Sequence, residues 1–163
     1  MKRQHSFGTT RTFKLWLMIL VTAVGVPALP PRALKSSIEP EQQVRAFVEA
    51  FNARDIDLMI AMADENVQWL IVDGAKISVE TEGKAALRES MARYFRSCPS
   101  CKSSLEWIQR AGSRVTAMER ASWTGKSGAK SQKSLSVYEF RGDKILRVYY
   151  FPAEVDTPPS GTR

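Results

Sequence analysis

The chain contains 163 residues, of which 44% are hydrophobic and 25% are charged, and its formal net charge is +7 at pH 7. This length and composition are typical of one globular domain with a single hydrophobic core. No internal repeat is visible in the sequence, which excludes a repeat array.

The N-terminal segment has the pattern of an export signal. Basic residues within positions 2–14 precede an uncharged apolar run over 15–26, and prolines follow that run. We therefore expect a signal peptide over residues 1–28, a linker over 29–37, and a secreted or periplasmic mature protein. An uncleaved anchor is the alternative, but the run of 12 residues is well short of the roughly 20 that a spanning helix needs.

Removal of this segment would change both the charge and the available chemistry. Cleavage after Ala28 removes four basic residues and no acidic ones, so the net charge falls from +7 to about +3, which is only weak evidence for an anionic partner. It also removes His5, the only histidine, and with it the imidazole-dependent hydrolase mechanisms and histidine metal ligands. We expect neither a metal nor a cofactor.

Three helices are predicted in the order of the chain. In the first, over 38–53, apolar residues recur at i, i+3, i+4 and i+7, which is typical of an amphipathic helix. Asp55 or Asp57 can cap a short second helix. A third amphipathic helix is predicted over about 84–97, with its apolar residues at helical spacing.

Strand patterns account for most of the remaining sequence. Short apolar runs over 67–72 and 77–81 predict a buried strand and an edge strand, and 105–109 opens the main sheet. From 114 to 151 the chain alternates strand, turn, strand, turn and strand, as in an antiparallel meander. Helices followed by such strands predict an α+β fold in which the helices cover one sheet face. The polar tail over 155–163 is expected to be disordered.

Two local clusters have simple structural interpretations. Cys98 and Cys101 follow the end of a helix, where the helix dipole disfavours a reactive thiolate, so a local disulfide is favoured over free thiols or a redox pair. Lys126, Lys130 and Lys133 surround a Gly/Ser turn without interleaved aromatic residues, which favours a solvated turn. We expect no nucleic-acid partner and, once the signal is cleaved, no membrane contact.

Alternation divides the strand that begins at Arg114 into two faces. One face carries Met118, Arg120, Ser122 and Thr124; the other carries Val115, Ala117, Glu119, Ala121 and Trp123. Both faces mix polar and apolar residues, so the pattern alone does not decide which one meets the helices. For Arg120, a solvated or salt-bridged side chain is the simplest interpretation.

Four short stretches in this order resemble a known superfamily. They are Val48–Asp57, Ala63–Val67, Gly83–Arg88, and Val137–Phe140 with the turn that follows it. Together they resemble the nuclear transport factor 2-like superfamily, especially its SnoaL-like, ketosteroid-isomerase-like and limonene-epoxide-hydrolase-like members. The resemblance implies a cone-shaped antiparallel curved sheet covered by three helices from the N-terminal half, in a domain over 38–154.

The catalytic residues of these enzymes are mostly replaced in this chain. The epoxide hydrolase motif Glu-Arg-x-Asp corresponds to Glu119-Arg120-Ala121-Ser122, so the arginine is kept and serine replaces the acid. The second acid falls on Tyr150, and the water-holding pair falls near Trp69 and Ile71. In the isomerase pattern, the tyrosine falls on Phe47 and the base falls near Trp69 or Leu70. The hydrogen-bonding acid falls on Ser136. Neither set is complete.

What the resemblance does imply is a cavity between the helices and the sheet. The side chains expected to line it and to bind a ligand are Phe47, Phe51, Trp69, Ile71, Arg120, Ser122, Ser136, Tyr138 and Tyr150. Apolar walls with a few polar groups are typical of a small-molecule site. A core filled completely by these side chains is the alternative.

Three functions follow from these patterns. The first is binding of a small, largely apolar ligand, with Arg120 fixing an anionic or carbonyl group. The second is an enzyme, a hydrolase or isomerase with a rearranged site that uses Arg120, Tyr138 or Tyr150 and also Glu119. The third is a homodimerisation domain that uses the outer sheet face, with Trp123, Leu135 and Val137.

Overall fold

The computed structural model describes residues 38–155. The predicted signal peptide over 1–28, the linker over 29–37 and all but the first residue of the tail lie outside these residues. Within 38–155, none of the helices is long and apolar enough to cross a membrane.

The three helices form where the periodicity predicts them, as α1 (Pro40–Ala53), α2 (Ile56–Met62) and α3 (Lys84–Ser97). Pro40 occupies the first turn of α1, where its missing N–H group costs no hydrogen bond. Arg54 ends α1 in the left-handed conformation, and Asp55 then caps α2 by accepting a hydrogen bond from the Leu58 N–H group at 2.9 Å.

The strands form one curved sheet. They are β1 (Ala63–Asp73), β2 (Lys76–Glu82), β3 (Lys102–Ala111), β4 (Arg114–Gly125), β5 (Gly128–Arg141), β6 (Lys144–Tyr150) and β7 (Glu154–Val155). Their spatial order is β2-β1-β6-β5-β4-β3, and β7 pairs with β5. The meander β4-β5-β6 is antiparallel as predicted, whereas β1 runs parallel to β6, so the sheet is mixed. The predicted α+β cone fold is confirmed.

Several strands begin earlier than the sequence pattern indicated, among them β1, β3 and β5. β1 begins at Ala63, because Ala63 and Val67 are both buried and Ala63 pairs with Ile145 of β6, although the residues between them are polar. β5 begins at Gly128 rather than at the apolar run that starts with Leu135, because its pairing with β4 continues to the hairpin turn. Backbone pairing thus extends each strand beyond its apolar run.

The hydrophobic core lies between the helices and one face of the sheet. Its largest cluster comprises Val44, Phe47, Ala50, Met59, Val115, Tyr138, Phe140, Ile145 and Val148. A second cluster joins Leu87 of α3 to Ile60, Ala63 and Val67. These clusters fix α1, α2 and α3 on the face of the sheet that also carries Glu119.

The disulfide between Cys98 and Cys101 is present and closes the loop between α3 and β3. Arg54 donates hydrogen bonds to the carbonyl oxygens of Pro99 and Cys101. Asn52 exchanges two hydrogen bonds with the backbone of Ser103, at 2.7 and 2.9 Å. The C-terminal end of α1 therefore holds this loop and the start of β3 in place.

Candidate functional site

A cavity of about 540 Å³ opens between the helices and the sheet. Its apolar and aromatic wall consists of Phe47, Val48, Phe51, Met59, Trp69, Ile71, Met91, Tyr94, Ala121, Tyr138, Tyr150 and Phe151. Cavities of this size and composition bind small organic molecules in many proteins. The cone is therefore not filled to its centre by its own side chains.

Glu119 is the buried acidic group of this cavity. β4 directs it inward between Ala117 and Ala121, and only 7% of its surface is exposed. Four hydroxyl groups donate to its carboxylate: Ser136 at 2.6 Å, Tyr138 at 2.7 Å, Tyr150 at 3.1 Å and Ser103 at 3.1 Å. We call Glu119 with these four residues the Glu119 cluster.

The cluster holds its two tyrosines in the neutral, donating form. Burial, followed by the negative charge of Glu119, raises the pKa of Tyr138 well above its ordinary value. The same two causes, in the same order, raise the pKa of Tyr150. Because neither phenol ionises near neutral pH, both remain available as hydrogen-bond donors to the carboxylate.

We expect the protein to lose stability as the pH rises above about 10. In the unfolded chain Tyr138 and Tyr150 ionise near that pH, whereas their raised pKa values keep them neutral in the folded state. Their contribution is therefore complete below pH 10 and declines by up to about 1.4 kcal/mol per tyrosine for each further pH unit. Urea unfolding between pH 8 and 11 should show that the free energy of unfolding declines less steeply with pH in Tyr138→Phe than in the unmodified protein. An unchanged slope in that variant would contradict this account.

Arg120, the predicted anchor for a ligand, lies on the opposite face of β4. Its guanidinium bonds to Glu106 at 2.5 and 2.8 Å and to Ser131 at 3.2 Å. Ser122 is exposed on the same face. The two residues therefore do not line the cavity, because strand alternation that directs Glu119 and Ala121 inward directs Arg120 and Ser122 outward.

The other predicted site residues lie at the cavity wall or, for Ser136, behind it. Phe47, Phe51, Trp69, Ile71, Tyr138 and Tyr150 all line the cavity. Ser136 is fully buried behind the wall, where it donates to Glu119. The ligand-binding role of these side chains stays a prediction.

Sequence reasoning missed Glu119 as the centre of the site and Ser103 as one of its partners. The sequence pattern did not distinguish the face of Glu119 from that of Arg120, because both faces mix polar and apolar residues. No local signal marks Ser103. Its hydroxyl reaches Glu119 only because β3 pairs with β4 and α1 fixes the start of β3.

The outer face of the sheet carries part of the predicted dimer contact. Leu135 pairs with Met118, which in turn pairs with Trp107, and Trp107 is 45% exposed. Val137 lies on this face as well, whereas alternation places Trp123 on the face of Glu119. Self-association through this surface stays a prediction.

Among the described residues, no group of three or more histidine, cysteine, aspartate or glutamate side chains could hold a metal ion. The Glu119 carboxylate is surrounded by hydroxyl donors rather than by further acids. Such an arrangement can attract a positive charge.

Solved structures with the same fold are numerous, and three illustrate the likeness. An uncharacterised cystatin-fold protein from Novosphingobium aromaticivorans is 23% identical with a TM-score of 0.60, covering 68% of this chain and 96% of its own. An NTF2-like protein of unknown function from Cytophaga hutchinsonii is 13% identical with a TM-score of 0.55, and the match covers 70% of this chain and 98% of that protein. The third is a hypothetical protein with a ketosteroid isomerase-like fold from Catenulispora acidiphila, solved in complex with trimethylamine. It is 13% identical with a TM-score of 0.59, and the match covers 68% of this chain and 85% of that protein.

At these identities the structural likeness shows the fold alone. No curated protein matches the chain. A family model, that of the SnoaL-like domain, matches residues 44–148, which is more than half of the chain and includes every residue of the Glu119 cluster except Tyr150. The chain therefore belongs to the SnoaL-like domain family.

Proposed function

We propose that this domain binds a small, largely apolar ligand in the cone cavity, with the polar end of the ligand at Glu119. The observation that carries the proposal is a buried carboxylate, satisfied by four hydroxyl donors, at the wall of an open aromatic cavity. A polar group buried in this way is costly unless it is hydrogen-bonded, and here the fold supplies those bonds in advance.

The remaining wall favours apolar ligand surface. Phe47 and Phe51 from α1, Met91 from α3 and Trp69 from β1 all contribute to this wall. Burial of apolar ligand surface against such residues contributes roughly 25 cal/mol per Å² before the costs of association. The Catenulispora acidiphila protein of this fold is in complex with trimethylamine, which supports a small-molecule role for this domain. The export signal predicted over 1–28 supports a ligand encountered outside the cytoplasm.

Thermal shift and native mass spectrometry against a panel of lipophilic metabolites test this proposal. We expect at least one ligand to raise the melting temperature by about 5–10 °C at roughly 100 times its Kd. Trp69→Ala should lose the shift, because it removes the aromatic wall. Arg120→Ala is the matched control and should keep the shift, because its side chain lies on the outer face. No stabilising ligand in the panel would count against binding.

A hydrolase or isomerase is the second candidate. The Glu119 carboxylate favours it, since a carboxylate at a cavity wall can act as a general base, but four hydroxyl groups already donate to its oxygens. Against it, Tyr138 and Ser136 are fully buried and donate to Glu119, so they do not offer donors for the negative charge that develops on a carbonyl oxygen. Analysing the same panel for products, with epoxides and enones included, separates turnover from binding.

A further inference from the structure

The charges along the cavity wall are unevenly distributed. Of the charged side chains that line the cavity in the described part of the chain, Glu119 is buried, whereas Glu80 and Lys102 are exposed. The Lys102 ammonium group donates to the backbone carbonyl of Asn52 at 2.5 Å, at the end of α1. The buried wall thus presents one charge, which is negative, and its Coulomb field acts in surroundings of low dielectric.

The lone pairs of Glu119 are already used. A carboxylate has about four lone-pair sites, and four hydroxyl groups donate to this one: Ser136 and Tyr138 to Oε1, Ser103 to Oε2, and Tyr150 to both oxygens. The hydrogen-bonding capacity is therefore filled, but hydrogen bonds do not remove the negative charge. A ligand group that is attracted by the charge, and that needs no acceptor for an N–H bond, fits this arrangement.

Aromatic rings adjoin the carboxylate. The Trp69 ring stacks on Tyr150 with centroids 5.7 Å apart and planes inclined by 26°, and Phe47 lies 5.8 Å from Trp69. Tyr150 links the two features, because its ring contacts Trp69 and its hydroxyl donates to Glu119. The faces of such rings carry negative potential and attract organic cations, most strongly for tryptophan.

We propose that the ligand class of this cavity is a quaternary ammonium compound with an apolar tail. Its alkylated cationic head lies near Glu119 against Trp69 and Tyr150, and its tail extends toward Phe51 and Met91. A primary ammonium group suits the site less well, because its three N–H donors would find the carboxylate lone pairs occupied. A carboxylate or phosphate ligand would meet a like charge. This inference rests on the proposed function and specifies the ligand for the same cavity.

Three matched probes test the inference by isothermal titration calorimetry or NMR on the purified protein. They are phenethyltrimethylammonium, its neutral carbon isostere (3,3-dimethylbutyl)benzene, and phenethylammonium. We expect the quaternary cation to bind at least about tenfold more tightly than the isostere. It should also bind more tightly than the primary amine. Glu119→Gln should reduce the ratio of the two affinities, quaternary cation over isostere, toward one. Glu106→Gln, on the outer face, should leave this ratio unchanged.

The outcomes separate this inference from the proposed function. If the isostere binds as tightly as the quaternary cation or more tightly, the inference of a cationic head group is wrong. The proposed binding of an apolar ligand is then still supported. Tighter binding of phenethylammonium overturns the quaternary class. Binding of neither the cation nor the isostere overturns the inference and counts against the proposed function as well. Because the comparison of probes on the unmodified protein decides these outcomes, a failure of Glu119→Gln to fold would not prevent the test.

Discussion

Glu119→Ala is expected to lower the free energy of unfolding by about 2–4 kcal/mol. The substitution removes the acceptor of four hydroxyl groups, and two of them belong to side chains that are at most 1% exposed, Ser136 and Tyr138. Each buried donor left unsatisfied costs about 1–3 kcal/mol. Ser103 and Tyr150 are partly exposed, so water can replace the carboxylate there, and we assign them little of the loss.

Urea unfolding at pH 7 measures this difference, and Glu106→Ala is its matched control. Glu106 lies on the neighbouring strand, is more exposed, and pairs with Arg120 outside the cavity. Ion pairs of this kind contribute about 1 kcal/mol or less. Equal losses in the two variants would contradict the central role that we give to Glu119 in the folded state.

Most of the fold could be predicted because its signals are local. α3 was predicted with the bounds it has, since its apolar residues recur at helical spacing. The meander was predicted from β-branched residues and turns. The parallel pairing of β1 with β6 was not predicted, because the two strands are separated by about 80 residues and no local pattern specifies which strands become neighbours.

The site was harder to predict, because neighbouring residues of β4 lie on opposite faces of the sheet. An error of one residue therefore exchanges the cavity face for the outer face. The family motif directed attention to Arg120, and the structure directs the adjacent Glu119 inward instead. Alternation defines two faces but does not say which one the helices cover. That choice depends on the packing of the whole fold, in which Val115 of β4 joins a core cluster with residues of α1 and α2. The aromatic wall was predictable, since large apolar side chains belong inside whichever face is covered.

Leu87→Ala is expected to lower the free energy of unfolding by about 3–4 kcal/mol. Leu87 is 1% exposed and packs α3 against Ile60 and Val67. Removing its side chain leaves a cavity that the neighbouring elements cannot fill without moving. Because α3 also carries Met91 and Tyr94 into the cavity wall, we expect ligand binding to weaken together with stability.

The matched control is Leu58→Ala, the same substitution on α2 at a side chain that is 46% exposed. Its cost should stay below about 1 kcal/mol, since little apolar surface is lost from the interior. Urea unfolding of both variants, with and without a bound ligand, separates the two contributions of α3. If Leu87→Ala lost stability but bound ligand as tightly as the unmodified protein, α3 would support the fold without shaping the cavity. If both variants lost equal stability, the second cluster would not be what attaches α3 to β1.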